Sequence, residues 1–191
     1  MSRNEAFDIE LVNRSKAGDT LAFRNLVNAY KDVSLTLACS VLKDTALAED
    51  AVQTAFIKVF EKLNTFRQDS KFSTWLFRIV INTAYNLLKQ QKNHHQMDVL
   101  SNLAVETNGK SETKALTEQE QRKYINLALN RIKPDEALLL RLFYLYEHSI
   151  VEIKEITGFS KSKIKVDLHR GRKNMELQLQ KMLGNEITQL L

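Results

Sequence analysis

The sequence predicts an all-α protein made of two small helical domains joined by a flexible linker, the second of them a helix-turn-helix domain. Three observations lead there. Only five glycines and one proline occur in 191 residues, too few turn formers for the tight hairpins of an all-β fold. Apolar residues recur at helical spacing on both sides of a polar middle stretch. Hydrophobic residues at 43% and charged residues at 27% are the proportions of a folding chain, not of a disordered one.

Helical patterning runs from about Asp8 to Lys92, interrupted at Ala17-Gly18-Asp19, near Lys43-Asp44-Thr45 and across Asn64–Lys71. Within Ala48–Leu63, steps of about 100° per residue collect Ala48, Val52, Ala55, Phe56, Val59 and Leu63 onto one core stripe. Asp50, Gln53, Ile57, Phe60 and Glu61 lie opposite or beside it. Ile57 and Phe60 next to carboxylates fit two roles: apolar anchors of a protein-recognition patch, or packing on a neighbouring helix of the same lobe. In Ser73–Lys92 the predicted buried stripe is Phe72, Leu76, Ile79, Val80, Thr83 and Leu87. The far side carries Arg78, Asn82, Tyr85, Lys89 and Lys92, flanked by Trp75 and Asn86. Cations neutralise phosphates, amides read base edges and rings stack on unpaired bases, so this face suits nucleic acid. A plain solvated face is the alternative. The preceding Phe66–Phe72 segment is polar and short enough to form a pocket wall.

From Asn93 to Ala115 the chain turns polar and loses periodicity, which predicts a linker between domains spanning residues 1–92 and 116–191. The second domain is punctuated. Thr117–Glu120 and Ser149–Glu152 fit capping boxes, Pro134 suits the first turn of a helix, and Gly158 falls at a helix end with Ser160 as the next N-cap. Helix, short glycine turn, helix is the arrangement of a DNA reader whose second helix enters the major groove. In that second helix Ile164, Leu168, Gly171, Met175 and Met182 turn inward. Ser162, Lys165, Val166, His169 and Lys173 turn outward, with Arg170 and Arg172 at the edges.

The net charge of +5 conceals a segregation. Between Lys62 and Lys92 the basic residues face Asp69 alone; between Gly158 and Met175, Lys161, Lys163, Lys165, Arg170, Arg172 and Lys173 face Asp167 alone. The rest of the chain is net acidic. Two separated positive blocks suggest two contacts with a polyanion. The longest apolar runs, such as Ala137–Leu140, are too short to cross a bilayer, and Met1–Glu10 carries Glu5, Asp8 and Glu10, unlike a secretory signal; a cytoplasmic address is expected. A single cysteine, Cys39, allows no internal disulfide or cysteine cage and is expected to be a small buried residue. His94 and His95 point about 100° apart on a helix and have no third ligand nearby. No glycine-rich phosphate loop and no nucleophile–histidine arrangement occurs. No metal, cofactor, small-molecule substrate or catalysis is expected.

Taken in order, these motifs resemble the extracytoplasmic-function class of bacterial RNA polymerase sigma factors, over roughly Gly18–Lys92 and Tyr124–Leu179. Gly18-Asp19 through Phe23 and Tyr30 resembles the family's opening helix. Ala48-Glu49-Asp50-Ala51-Val52-Gln53-Thr54-Ala55-Phe56 resembles the segment that docks on the clamp helices of the polymerase's largest subunit. Phe72-Ser73-Thr74-Trp75-Leu76-Phe77-Arg78-Ile79 with Asn82 resembles the segment that melts and reads the −10 element. Pro134, Ser149, Glu152-Ile153, Gly158 and Ser160 through Lys173 resemble the −35 reader.

The resemblance implies polymerase contacts at Asp50, Gln53, Phe56, Ile57 and Phe60. It implies −10 contacts at Phe66, Lys71, Trp75, Arg78, Asn82, Tyr85 and Lys89, and −35 contacts at Lys161, Ser162, Lys163, Lys165, Val166, His169, Arg170 and Lys173. The implied partners are core RNA polymerase, promoter DNA and, by family analogy, an anti-sigma protein. Departures are visible: Asn86 and Lys89-Gln90 stand where the family has an aspartate and then paired arginines, and Asp167 occupies a site that is often arginine. Gly171 replaces a common alanine, at up to about 1 kcal/mol of helix propensity. Two other classes share parts of the pattern. A helix-turn-helix repressor would usually dimerise on a palindrome and would not need the Asp50–Ile57 face. An enzyme acting on nucleic acid would need grouped carboxylates to hold metal, and the basic segments supply only Asp69 and Asp167.

Overall fold

The computed structural model describes residues 5–95 and 118–184. Those residues form α-helices joined by short turns, with no strand among them. The first lobe contains α1 (Glu5–Lys16), α2 (Thr20–Leu42), α3 (Thr45–Lys62) and α4 (Phe72–His95). Asp19 starts α2 by accepting from the backbone N–H groups of Leu21 and Ala22 at 2.9 and 3.0 Å, and Arg14 grips the same carboxylate at 2.8 Å. Lys43 ends α2 in a left-handed conformation, φ 57°, and Asp44 then caps α3 through the Leu47 N–H at 3.0 Å. A single 3₁₀ turn, Leu63–Thr65, leads into the loop before α4.

The α3 and α4 stripes are wider than the period alone predicts. On α3, Ala48, Ala51, Ala55, Val59 and Leu63 are buried, while Val52 and Phe56 are only half-buried. On α4, Phe72, Leu76, Val80 and Thr83 are buried as expected, but so are Phe77, Ile81 and Ala84; Ile79 and Leu87 are half-buried. The cause is tertiary: α4 packs on α2 and α3 with one side and on the second lobe with the other. Cys39 is half-buried, not fully enclosed, and that burial pushes its thiol pKa up.

The second lobe contains α5 (Glu118–Arg131), α6 (Pro134–Leu140) continuing into a π-helical turn (Arg141–Leu145), α7 (Ile150–Thr157) and α8 (Lys161–Leu183). Its punctuation falls where the sequence predicts. Pro134 sits in the first turn of α6, the Ser149–Glu152 capping box is complete, Gly158 ends α7 with φ 73°, and the Ser160 hydroxyl accepts from the Lys163 N–H at 3.1 Å. Gly171 has a purpose beyond propensity. A Cβ built there would lie 3.2 Å from Glu136 Cβ and 3.2 Å from Leu140 Cδ1, so α8 crosses α6 at a separation only glycine permits without movement. Met182, expected inward, is half-buried, and its neighbour Leu183 is buried.

The lobes do not stand apart. α7 packs along α4, and α6 along α2. Phe77 of α4 meets Tyr146 at 6.3 Å between ring centroids and the His148 ring edge-on at 5.6 Å. Residues 96–117, which include most of the expected linker and Thr117 of the expected first capping box, lie outside the described residues. α4 itself runs to His95, past the expected boundary at residue 93. No helix among the described residues is long and apolar enough to cross a membrane.

Candidate nucleic-acid and partner interfaces

Three surfaces gather the residues singled out above. The first is a groove of about 780 Å³ between α2 and α3. Its floor is apolar, with Phe23, Val27 and Leu35 from α2 and Val52 and Phe56 from α3; Lys31, Asp32, Glu49, Asp50 and Gln53 rim it. Ile57 and Phe60 stand at its edge, 56% and 59% exposed. Phe60 does lean on a neighbouring helix, with its ring 5.0 Å from that of Phe23 in an edge contact. That contact leaves more than half of the ring in solvent. Asp50 and Gln53 are also exposed. An apolar floor with a polar rim is the make-up of a protein-recognition patch.

The second surface is α4 with the loop before it. Arg78, Asn82 and Lys89 are exposed, and Trp75 is half-buried. Phe66 requires a correction. It is only 3% exposed, with Phe72 at 5.8 Å and Trp75 at 5.1 Å from its ring, so the ring has no free face on which a base could stack. Lys16 donates to the Phe66 carbonyl at 2.6 Å and fixes the loop from below. Trp75 is thus set in place by two buried rings.

Lys71 and Tyr85 are not free either. The Lys71 ammonium lies 2.9 Å from Glu152, and the Tyr85 hydroxyl donates to Asp135 Oδ1 at 2.7 Å. The Tyr85 ring also meets Phe159 at 6.2 Å. Burial, then the bond to Asp135, pushes the Tyr85 phenol pKa up. Partial burial would raise the Glu152 carboxyl, but Lys71 and the Ser149 N–H and hydroxyl outweigh it and hold the group down at about 2.

The third surface is α8. Lys161, Ser162, Lys165, Val166, His169, Arg170 and Lys173 are all exposed, while Ile164, Leu168 and Gly171 are buried beneath them. Lys163 is the exception. Its ammonium donates to Asp135 Oδ2 at 2.7 Å and to Asp167, and sits 4.3 Å from the centre of the Phe159 ring. Partial burial works against the charge, and the two carboxylates prevail and raise the ammonium pKa. Asp167 is therefore one of two ties that hold Lys163 down, Asp135 being the other. Arg172 bonds the Tyr144 hydroxyl at 3.0 Å, and Asn174 bonds Glu136 at 2.7 Å, which fastens α8 to the preceding elements.

The sequence does not single out Asp135, and it marks Glu152 only by its capping box and its place in the −35-reader motif, not as a partner of Lys71. Asp135 looks like an ordinary acid in the first turn of a helix and Glu152 like an ordinary capping-box residue. No periodicity links either of them to α4.

Comparison with known proteins bears on both lobes. Residues 26–94 match the family model for sigma-70 region 2, and residues 122–175 match that for sigma-70 region 4. The extracytoplasmic-function RNA polymerase sigma factor SigW of Bacillus subtilis is 28% identical over 176 residues, covering 88% of this chain and 94% of that protein. The RNA polymerase sigma-H factor of Pseudomonas aeruginosa is 47% identical over 81 residues, 42% of each chain. The sigma factor RpoE from Bartonella quintana, solved in complex with the anti-sigma factor NepR, superposes with a TM-score of 0.65 at 20% identity, over 83% of this chain and 96% of that one.

Proposed function

Because this chain belongs to the extracytoplasmic-function sigma factors of the sigma-70 family, which bind core RNA polymerase and direct it to promoters, we propose how its lobes divide that work. The first domain, residues 1–92, takes polymerase on the α2–α3 groove, with Ile57, Phe60 and Phe56 as apolar anchors and Asp50 and Gln53 as the polar rim. The observation that carries this is the exposure of Ile57 and Phe60, at 56% and 59%, beside two exposed polar residues on one helix face.

The same domain takes the −10 element on α4. Trp75 offers a ring, Asn82 an amide, and Arg78, Lys89, Lys71 and Tyr85 complete the contact, with the Asn64–Lys71 loop as a pocket wall for one unpaired base. Flipping a base costs a few kcal/mol, which a closed pocket and nearby cations offset. Phe66 supports this site from beneath and does not touch DNA. The domain of residues 116–191 reads the −35 element with α8: Lys165 and Arg170 approach base edges with Ser162, Val166 and His169 beside them, and Lys161, Lys163 and Lys173 meet phosphates. The segment 93–115 links the two domains.

Each lobe supplies few contacts, so free chain binds DNA weakly, and polymerase strengthens binding by fixing both lobes at one separation. The chain performs no catalysis and works in the cytoplasm with the polymerase. An anti-sigma protein is its further partner, a reading supported by the likeness to a sigma factor solved with one. Transcription by core enzyme plus purified chain on a genomic promoter library tests the whole scheme. Initiation from a discrete promoter set is expected, and failure of the chain to bind core enzyme would overturn it.

A further inference from the structure

The loop before α4 is held by a helix to which no DNA contact is assigned. α1 is firmly seated: Leu11 and Val12 are buried, and Arg14 ties its end to Asp19 at 2.8 Å. Asn13 and Lys16 lie one turn apart and so share one face of this helix. Both reach the loop. The Lys16 ammonium donates to the Phe66 carbonyl at 2.6 Å and lies 5.8 Å from the centre of the Phe66 ring. Asn13 Oδ1 accepts from the Gln68 side-chain amide at 2.8 Å. Gln68 has φ 63°, a left-handed conformation that is uncommon for a residue with a Cβ and persists where the surroundings fix it. Arg67, Gln68 and Asp69 are exposed, so burial does not fix them. The Arg67–Asp69 ion pair, at 3.0 Å, lies within the tip and cannot anchor it to the body of the lobe.

We propose that Asn13 and Lys16 are positioning residues for the −10 pocket, through which α1 sets the shape of the loop that admits the unpaired base. The inference rests on the −10 assignment made above and adds two residues that act through the loop and not on DNA. An untied surface loop samples many shapes, so an entering base must order it, and a wrong base is rejected less sharply. A role for α1 in the core alone predicts something else. Alanine is a better helix former than asparagine, so Asn13→Ala leaves α1 at least as firm, and only a role towards the loop makes it harmful.

The test pairs each loss with a conservative replacement, in holoenzyme assembled from core enzyme and the full chain. Asn13→Ala and Lys16→Met remove the acceptor and the donor; Asn13→Asp and Lys16→Arg keep them. Single-round initiation is measured on a promoter from the genomic library and on templates with its −10 bases replaced one at a time. Preference for the native −10 element should narrow at least about threefold in the two loss variants and hold within about twofold in the two replacements. Core affinity and the penalty for −35 substitutions should hold in all four. In the free chain, amide hydrogen exchange from Phe66 to Asp69 should be at least about tenfold faster in Asn13→Ala and Lys16→Met. If Lys16→Met fails to fold, Asn13→Ala decides, because Asn13 is exposed. Unchanged −10 preference in Asn13→Ala, or a narrowing that the −35 preference shares, overturns the proposal. If wild type shows no −10 preference, the functional assignment falls, and the exchange rates alone decide whether α1 holds the loop.

Discussion

Lys43, the residue that ends α2, donates its ammonium to the backbone carbonyl of Asn130, 3.2 Å away at the end of α5. It reaches the Leu129 carbonyl as well, at 3.3 Å. A cation at the negative end of a helix is favourable, yet here a second cation intervenes. Arg141, only 4% exposed, extends its guanidinium to the Asn126 side chain at 2.9 Å, and burial lowers its own pKa. Burial of the Lys43 ammonium, and next the Arg141 charge, bring the Lys43 pKa down to about 8.

Stability should therefore climb as pH rises from about 8 towards the unfolded value of 10.5, because the unfolded chain binds the extra proton across that window. Lys43→Asn, which tolerates the left-handed backbone, should flatten the climb relative to wild type. Lys43 is exposed along its stem, so the discounted effect is about 1 kcal/mol, or about 2–4 °C in Tm. Parallel melting curves for both proteins across the window would refute this.

Acid should act elsewhere. His148 is 5% exposed, and burial lowers its pKa, with Glu152 pulling it up and Lys71 pushing it down. A histidine held neutral by the fold contributes stability that is complete above 6.5 and lost as pH falls below it. His148→Gln should remove most of that slope in thermal melts. Glu152 acts in a lower window, because its contribution fades only as pH falls from 4.5 towards about 2.

Ile57→Ala should cost the fold almost nothing, since the side chain is more than half exposed, and should weaken binding to core enzyme about tenfold. Asp50→Ala with Gln53→Ala should weaken it in the same direction with an unchanged circular-dichroism spectrum. Full affinity in both proteins would take the polymerase site off α3.

Lys165→Glu puts an anion on the outward face of α8 and leaves the packed side untouched. Initiation that depends on the upstream element should fall about tenfold, while core binding and Tm hold. Normal use of that element would remove α8 from the groove.

Gly171→Leu should destabilise the second lobe by about 1–3 kcal/mol in urea melts, because the branch must enter space held by Glu136 and Leu140. Gly171→Ala is a gentler probe: helix propensity favours it by about 1 kcal/mol and the 3.2 Å contacts oppose it, so its effect should be small.

The contrast between Lys165 and Phe77 explains how much of the molecule is legible in its sequence. The outward placement of Lys165 follows from helical period alone, as do the Ser149–Glu152 box and the Gly158 turn, because each depends on residues within a few positions. Phe77 is buried and meets Tyr146 and His148, which lie far along the chain, and no local pattern announces that α4 also packs on α7. Phe66 misleads for a related reason. An aromatic in a polar loop looks available, and only the convergence of Phe72 and Trp75 makes it core. At the end of the 23-residue α8 the period places Met182 inward, where it is half-buried, and gives no sign that Leu183 beside it is buried. The exposure of Ile57, Arg78, Asn82 and Lys165 is thus readable from the sequence, whereas the ties of Lys71, Tyr85 and Lys163 are not.

The crossing at Gly171 separates two kinds of evolutionary change. The seat of α8 is set by Ile164, Leu168 and the absent side chain at Gly171, none of which faces outward. Lys165, Val166, His169 and Arg170 can accordingly be exchanged without disturbing that seat, and with α8 as the proposed −35 reader a lineage could drift to new target sequences one exposed residue at a time. Lys163 lacks this freedom, since a neutral replacement there takes the cation from Asp167 and from one oxygen of Asp135, and the position should change in concert with those two acids.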